Sequence, residues 1–121
     1  MTVLVCVGVG LLGGLGAILR FRLDALVELY AGGEFPLGTL TVNLVGSFAL
    51  GILYGTGVGG DGLLLAGTAV IGSFTTFSTW MFETQRLVED GDDALALVNV
   101  VVSLAAGLAA AVAGWAIGAA A

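Results

Sequence analysis

The sequence has no histidine and no lysine, and it has one cysteine and one proline. Without histidine or lysine it lacks histidine-based zinc sites, serine triads with a histidine base, P-loop lysines and Schiff-base lysines. Cys6 has no second cysteine for an internal disulfide and lies in an apolar run, which is typical of a packing residue. These absences therefore exclude several common classes of catalytic and metal site.

Charge is also scarce. Only 10% of the 121 residues are charged, where about 25% is usual for a globular protein, and the mean hydropathy is +1.13. Four stretches carry no charge at all: residues 1–19, 35–60, 62–82 and 94–121. Because roughly 20 apolar residues cross a bilayer as a helix, the sequence predicts a multi-pass protein of the cell membrane.

The predicted architecture is a single all-α domain with four transmembrane helices, at about residues 3–29, 37–58, 63–88 and 94–119. The connections are short, so neighbouring spans are expected to be antiparallel. Nine acidic residues against three arginines give a net charge of −6. This charge argues against nucleic acid or anionic lipid as a partner.

Glycine is abundant, at 21 of 121 residues. In lipid, small residues let helices approach closely, which favours their association. Asn43, Ser47, Gly51, Gly55 and Gly59 recur every four residues and form one stripe of mostly small residues on the second span. The amide in this stripe is the exception, because it needs hydrogen-bond partners at membrane depth.

The third span contains a run rich in hydroxyl groups, GSFTTFSTW at residues 72–80, with three aromatics at three-residue spacing. Hydroxyl side chains compete for backbone groups and bend helices, so we predict a third helix that is broken in mid-membrane. Carbonyls freed there need protein, water or an ion as partner. The alternative is an unbroken helix whose hydroxyls bond back to their own turn.

No span has a carboxylate or an arginine near its centre, which argues against a proton- or cation-coupled carboxylate site. The neutral donors that remain are the amide of Asn43, the hydroxyls of Ser73, Thr75, Thr76, Ser78 and Thr79, and the ring edges of Phe74 and Phe77. Such groups favour a small anion, whereas backbone carbonyls at a helix break favour a hard cation such as sodium.

Three segments together resemble the CrcB/Fluc family of fluoride channels: GGLGAILR at residues 13–20, GTLTVNLVGSF at 38–48, and the run at 72–80. The TTFST core combined with the GT-x-x-x-N motif is the specific part, and the resemblance covers nearly the whole chain. It implies an antiparallel dimer of dual topology with two narrow fluoride paths. It also implies a structural sodium ion at the dimer centre, held by carbonyls.

The resemblance also implies the functional residues. Gly72 and Thr75 match the positions whose carbonyls hold sodium. The fluoride pathway is expected to involve Asn43, Phe74, Thr76, Phe77, Ser78, Thr79, Trp80 and Ser103, with Arg20 at the vestibule end of the first span. The function that the resemblance implies is passive export of fluoride, which relieves fluoride toxicity, and we therefore expect a protein that is not an enzyme.

Two features depart from the family pattern. The second aromatic of the pair is usually phenylalanine and here is Trp80, whose indole either binds the anion through its N–H or narrows the path. The stripe expected to line the path on the fourth span, Asn99, Ser103, Gly107 and Ala111, is polar only in its first half. A non-conducting or auxiliary subunit of a heterodimeric channel is therefore an alternative. A small multidrug-type transporter is less favoured, because it needs a carboxylate that residues 1–19 lack.

The arginines suggest a partner. Arg20, Arg22 and Arg86 lie at the ends of the first and third spans, on one face of the membrane, and the other face has none. By the positive-inside rule this bias favours one fixed orientation, with both termini outside. We therefore hypothesise pairing with an oppositely oriented paralogue, and the alternative is a homodimer of dual topology.

Overall fold

A computed structural model describes residues 2–121, and all of the regular structure in this range is helical. Four helical segments are long and apolar enough to cross a membrane: Val3–Ala31, Leu37–Gly55, Gly60–Glu89 and Asp93–Ala120. The predicted all-α fold with four spans is confirmed. The first, second and fourth spans are the helices α1 (Val3–Ala31), α2 (Leu37–Gly55) and α6 (Asp93–Ala120).

The third span is built from four pieces. It begins with α3 (Gly60–Gly62), continues as a π-helical stretch (Leu63–Ile71) and α4 (Gly72–Phe74), and resumes as α5 (Ser78–Glu89). In the π-helical stretch the backbone bonds reach one residue further than in an α-helix, as in the bond from the Gly72 N–H to the Gly67 carbonyl. This π-helical stretch was not predicted from the sequence.

The helix stops at Thr75, which is extended, with φ −81° and ψ 159°. The predicted break is therefore confirmed, and the alternative of a continuous third helix is wrong. The break spans residues 75–77, so it lies three residues beyond Gly72, which itself stays helical with φ −62° and ψ −36°.

Local capping interactions determine where α6 begins and where α2 ends. The Asp92 carboxylate accepts a hydrogen bond from the Leu95 N–H at 3.2 Å and so caps α6. At the end of α2, Gly57 adopts a positive φ of +77° and its N–H bonds to the Tyr54 carbonyl, which closes the helix. As a result α2 ends at Gly55, three residues before the predicted end of that span.

Glycines bring α2 and α6 together at backbone distance. A Cβ added to Gly51 or Gly55 would overlap the backbone of α6, and one added to Gly114 or Gly118 would overlap the backbone of α2. Close packing of small residues is the main source of helix association in lipid. The small-residue stripe predicted on the second span is, at these positions, the contact surface with α6.

α1 packs against the third span in the same way. A Cβ on Gly16 would overlap the carbonyl oxygen of Val70, and a Cβ on Gly13 would lie 3.3 Å from the Ser73 hydroxyl oxygen. The glycines of the first-span motif therefore place α1 against the residues that precede the break.

Candidate functional site

The break is held by the side chain of Asn43 on α2. Its Nδ2 donates to the Thr76 carbonyl and its Oδ1 accepts from the Thr76 N–H, each at 2.8 Å. This close approach requires Gly46, one turn further along α2, because a Cβ there would overlap the Thr75 methyl group. The sequence analysis left the Asn43 amide without an identified hydrogen-bond partner. In the structure it bonds to the N–H and the carbonyl of Thr76, two backbone groups that have no helical partner at the break.

The hydroxyl of Thr76 starts the next helix. Its Oγ1 accepts from the Thr79 N–H at 3.2 Å and donates to the Thr79 Oγ1 at 3.0 Å, and the Ser78 Oγ lies 3.4 Å away. A threonine hydroxyl in this position caps the orphan donors at a helix N-terminus. Thr76 is buried, so this cap is enclosed in the protein.

These bonds release two backbone carbonyls. In an unbroken α-helix the Gly72 carbonyl would accept from the N–H of Thr76, and the Thr75 carbonyl from the N–H of Thr79. The first N–H points instead to Asn43 Oδ1 and the second to Thr76 Oγ1. The carbonyls of Gly72 and Thr75 are those that the resemblance implies as sodium ligands, and the Ser73 carbonyl also lacks its helical donor, the Phe77 N–H. A set of neutral carbonyl oxygens suits a hard cation.

A cavity of about 400 Å³ lies between the break, α2 and α6. It brings together seven of the residues predicted from the sequence: Asn43, Gly72, Thr75, Thr76, Phe77, Trp80 and Ser103. Two more residues of the predicted fourth-span stripe, Gly107 and Ala111, line it as well, next to Leu104 and Leu108. The α6 wall is therefore polar at Ser103 and apolar beyond it.

The aromatic residues take different positions. Phe77 is 70% exposed and meets Trp80 edge to face, with ring centroids 5.7 Å apart and planes at 86°. The indole N–H of Trp80 donates to the Asn99 carbonyl at 3.2 Å. In this arrangement the indole N–H is already engaged, and the ring serves as a wall of the cavity.

Phe74 and Ser78 do not line this cavity, although the Ser78 hydroxyl lies close to that of Thr76. Phe74 sits over α2, where a Cβ on Gly46 would lie 3.4 Å from its ring. Neither residue lines the two cavities that continue from this one towards the end of α1. Asn99, expected on the pathway stripe, lies behind the wall and is only 1% exposed.

Two further cavities continue from the break towards the end of α1. One of about 230 Å³ is lined by Arg20, Asp24, Thr39, Thr76 and Thr79, together with Phe21 and Val42. The other, of about 420 Å³, is bordered by Thr79 and by charged residues of α1 and α5. Thr76 borders the first and second cavities, and Thr79 the second and third. The two bonded hydroxyls therefore stand between consecutive cavities.

The sequence reasoning missed a group of carboxylates around the N-terminus of α2. Glu28 Oε1 accepts from the Gly38 N–H at 2.9 Å, Glu83 accepts from the Thr39 hydroxyl, and Asp24 fills the space that a Cβ on Gly38 would need. A helix N-terminus attracts negative charge. The four-residue spacing of Asp24 and Glu28, which puts both on one face of α1, was the available signal.

Comparison with known proteins identifies a matching family and several similar proteins. A sequence profile described as CrcB-like protein, Camphor Resistance (CrcB), matches residues 7–115. The chain is 52% identical to the Fluoride-specific ion channel FluC 2 of Mycobacterium tuberculosis, over 94% of this chain and 90% of that protein. It is also 52% identical to FluC 2 of Haloarcula marismortui, over 83% and 82%, and to FluC 1 of Nocardia farcinica, over 83% and 71%.

Proposed function

The chain belongs to the CrcB-like protein family, and from this membership and the geometry of the break we propose that it is a subunit of a fluoride channel. It passes fluoride through the membrane down its electrochemical gradient and carries out no catalysis. The observation that carries the proposal is the convergence of Asn43, Thr76 and Phe77 on one cavity at the helix break.

The chemistry of this cavity suits a small anion. Its wall contains no charged residue, so an anion there meets neutral donors only. An asparagine amide has two donor hydrogens, and the bond to the Thr76 carbonyl uses one of them. The single hydrogen of the Ser103 hydroxyl is donated to Asn99 Oδ1, so Ser103 adds polarity but no spare donor to the wall. The ring edge of the exposed Phe77 adds a further positive group. Such donors replace the water that a strongly hydrated ion gives up on entering a narrow path.

The three consecutive cavities support the pathway roles proposed for Thr76, Thr79 and Arg20. Thr76 and Thr79 stand between the cavities, and Arg20 lines the middle one, where it shares the wall with the Asp24 carboxylate. These positions agree with the pathway roles that the resemblance implies. For Phe74 and Ser78 the resemblance is the only support.

A structural sodium ion is part of the proposal. The Gly72 and Thr75 carbonyls, freed by the bonds of Asn43 and Thr76, provide two neutral oxygen ligands in each chain. Two chains that meet at their breaks would provide four. A bound sodium ion would supply positive charge at the break and join the two chains there.

The proposed assembly is a dimer. The aromatic pair and the freed carbonyls need a partner surface, and Phe77 is 70% exposed on the single chain. The partner is either a second copy or an oppositely oriented paralogue. The arginine bias favours the paralogue, and the occurrence of both FluC 1 and FluC 2 among the relatives agrees with it.

One observation favours a second candidate, an auxiliary subunit that does not conduct through its own fourth span. Beyond Ser103 the α6 wall of the cavity consists of Leu104, Gly107, Leu108 and Ala111, which offer an anion no hydrogen-bond donor from their side chains. The multidrug-type transporter has no comparable support, since the first carboxylate of α1, Asp24, lies beyond its uncharged stretch.

Reconstitution of the purified chain in liposomes tests the proposal. We expect fluoride efflux, followed with a fluoride electrode, while chloride is retained. Efflux that requires a co-purified paralogue would assign the auxiliary role. An absence of fluoride efflux both from the chain alone and from the pair would overturn the proposal.

A further inference from the structure

Trp80, Thr84 and Asn99 form a closed ring of hydrogen bonds that joins α5 to α6. The Trp80 indole N–H donates to the Asn99 carbonyl at 3.2 Å, Asn99 Nδ2 donates to the Thr84 hydroxyl at 2.8 Å, and that hydroxyl donates to the Trp80 carbonyl at 2.8 Å. We refer to these three residues as the indole ring lock. It holds Trp80 at both its backbone and its side chain.

The lock lies directly behind the cavity wall. Asn99 is 1% exposed, and its Oδ1 accepts from the Ser103 hydroxyl at 3.2 Å. Trp80 and Ser103 line the cavity, whereas Thr84 and Asn99 do not. Both polar atoms of the buried amide therefore have partners connected to the wall, Thr84 for Nδ2 and Ser103 for Oδ1.

We infer that Thr84 and Asn99 are positioning residues that fix the Trp80 indole as a rigid wall of the cavity, and so set its discrimination between fluoride and chloride. The inference rests on the proposed function, because selectivity presupposes conduction. The indole in turn fixes Phe77 through the edge-to-face contact at 5.7 Å. The anion thus meets the indole ring and not its N–H.

A mobile cavity wall is expected to lower the selectivity of the path for fluoride. An anion path selects by its width and by the placement of its donors. If the lock opens, the Trp80 indole regains rotamer freedom and the Phe77 ring loses its support, so the path widens for part of the time. Chloride, the larger ion, gains most from a wider path.

Thr84→Val breaks two of the three bonds of the lock with little change in the shape of the side chain, and it leaves the bond from the indole N–H to the Asn99 carbonyl. It removes both the acceptor for Asn99 Nδ2 and the donor to the Trp80 carbonyl. We expect the fluoride-over-chloride flux ratio in liposomes to fall by about threefold to tenfold, the range that one neutral hydrogen bond is worth. Thr84→Ser keeps the hydroxyl and should keep the ratio.

A matched control is Thr41→Val. Thr41 is half-buried, as Thr84 is, and its hydroxyl also donates to the carbonyl four residues earlier, at 2.8 Å. It has no bond to the lock and lines none of the three cavities. We expect this variant to keep the flux ratio of the unaltered chain, which separates the lock from a general effect of losing a helical threonine hydroxyl.

Tryptophan fluorescence reports on the lock without any flux. The chain has two tryptophans, Trp80 and Trp115, so a Trp115→Phe background leaves Trp80 as the only emitter. We expect the emission maximum to shift in Thr84→Val and to stay unchanged in Thr84→Ser and Thr41→Val. A channel that fails to conduct would overturn the proposed function, while the emission would still test the lock.

Replacement of the Trp80 indole by benzothiophene removes the N–H and keeps the size of the ring. We expect it to lower the flux ratio as Thr84→Val does, and it serves in place of that variant if Thr84→Val does not assemble. An assembled Thr84→Val channel with unchanged emission and flux ratio would overturn the inference. So would a benzothiophene channel that abolishes fluoride flux while Thr84→Val leaves it intact, because the N–H would then contact the ion.

Discussion

Asn43 and Thr76 are joined by two hydrogen bonds of 2.8 Å, both between the asparagine side chain and the threonine backbone. The amide therefore takes the place of the helical partners that the break removes, and it does so independently of the Thr76 side chain. One residue holds the shape of the break and also brings a spare donor to the cavity.

Asn43→Asp should block fluoride flux while the subunits remain assembled. The substitution is nearly isosteric, but it removes the donor to the Thr76 carbonyl and places a negative charge on the anion path. We expect efflux to fall by about tenfold to a hundredfold, given the value of hydrogen bonds to charged or buried groups. Liposome efflux and size-exclusion chromatography measure the two properties, and efflux near the unaltered rate would exclude Asn43 from the path.

Gly46→Ala should destabilise the protein, and Thr75→Ser should restore it in the double variant. The added Cβ overlaps the Thr75 methyl group, and serine lacks that methyl. Overpacking of this kind costs about 1–3 kcal/mol. A double-mutant cycle on the thermal midpoint in detergent gives the coupling between the two positions. Additive effects would show that the close approach of α2 to the break is not limiting.

The sodium proposal predicts different results at its two ligand positions. Thr75→Ser should keep the ion, because the ligand is a backbone carbonyl. At Gly72 a Cβ would meet only the Gly67 carbonyl oxygen, at 3.7 Å, so Gly72→Ala fits within the chain, whereas a bulky Gly72→Leu would crowd the space in front of the carbonyls. A high-resolution experimental structure of the dimer should show density between the two breaks. A centre without density would contradict the proposal.

Cysteine labelling from each side of intact cells should separate the two kinds of dimer. Asp61→Cys places a thiol at an exposed position in α3, at the start of the third span, and Cys6→Ser removes the other cysteine. For a chain of fixed orientation we expect labelling from one side only. Equal labelling from both sides would mean that the chain inserts in both directions, and the homodimer would then be the favoured assembly.

The sequence predicted the break and the importance of Asn43, but not how the two are related. A lone amide among small residues must find a partner, and a hydroxyl-rich run weakens a helix, so each conclusion follows from local chemistry. Their pairing depends on the empty space at Gly46, which is a tertiary feature. The break at residues 75–77 lies within the run at 72–80 where it was predicted, and the bonds of Asn43 to Thr76 hold it there.

The aromatic residues show a second limit of prediction from the sequence. In a regular helix Phe74, Phe77 and Trp80, spaced by three residues, would share one face. Here the first belongs to α4, the second to the break and the third to α5, so the change of backbone direction at Thr75 separates Phe74 from the other two. Helical periodicity predicts faces only within an unbroken helix, and the functional segment is the one that is broken.

The lengths of α2 and α6 relate the site to the surrounding lipid. α2 has 19 residues and spans about 28 Å, close to the ~30 Å hydrocarbon thickness, whereas the 28 residues of α6 span about 42 Å. The glycine contacts oblige these unequal helices to tilt as one body when acyl chains lengthen or shorten. Because Asn43 is carried on α2, hydrophobic mismatch acts directly on the break, and lipid composition becomes a determinant of its geometry.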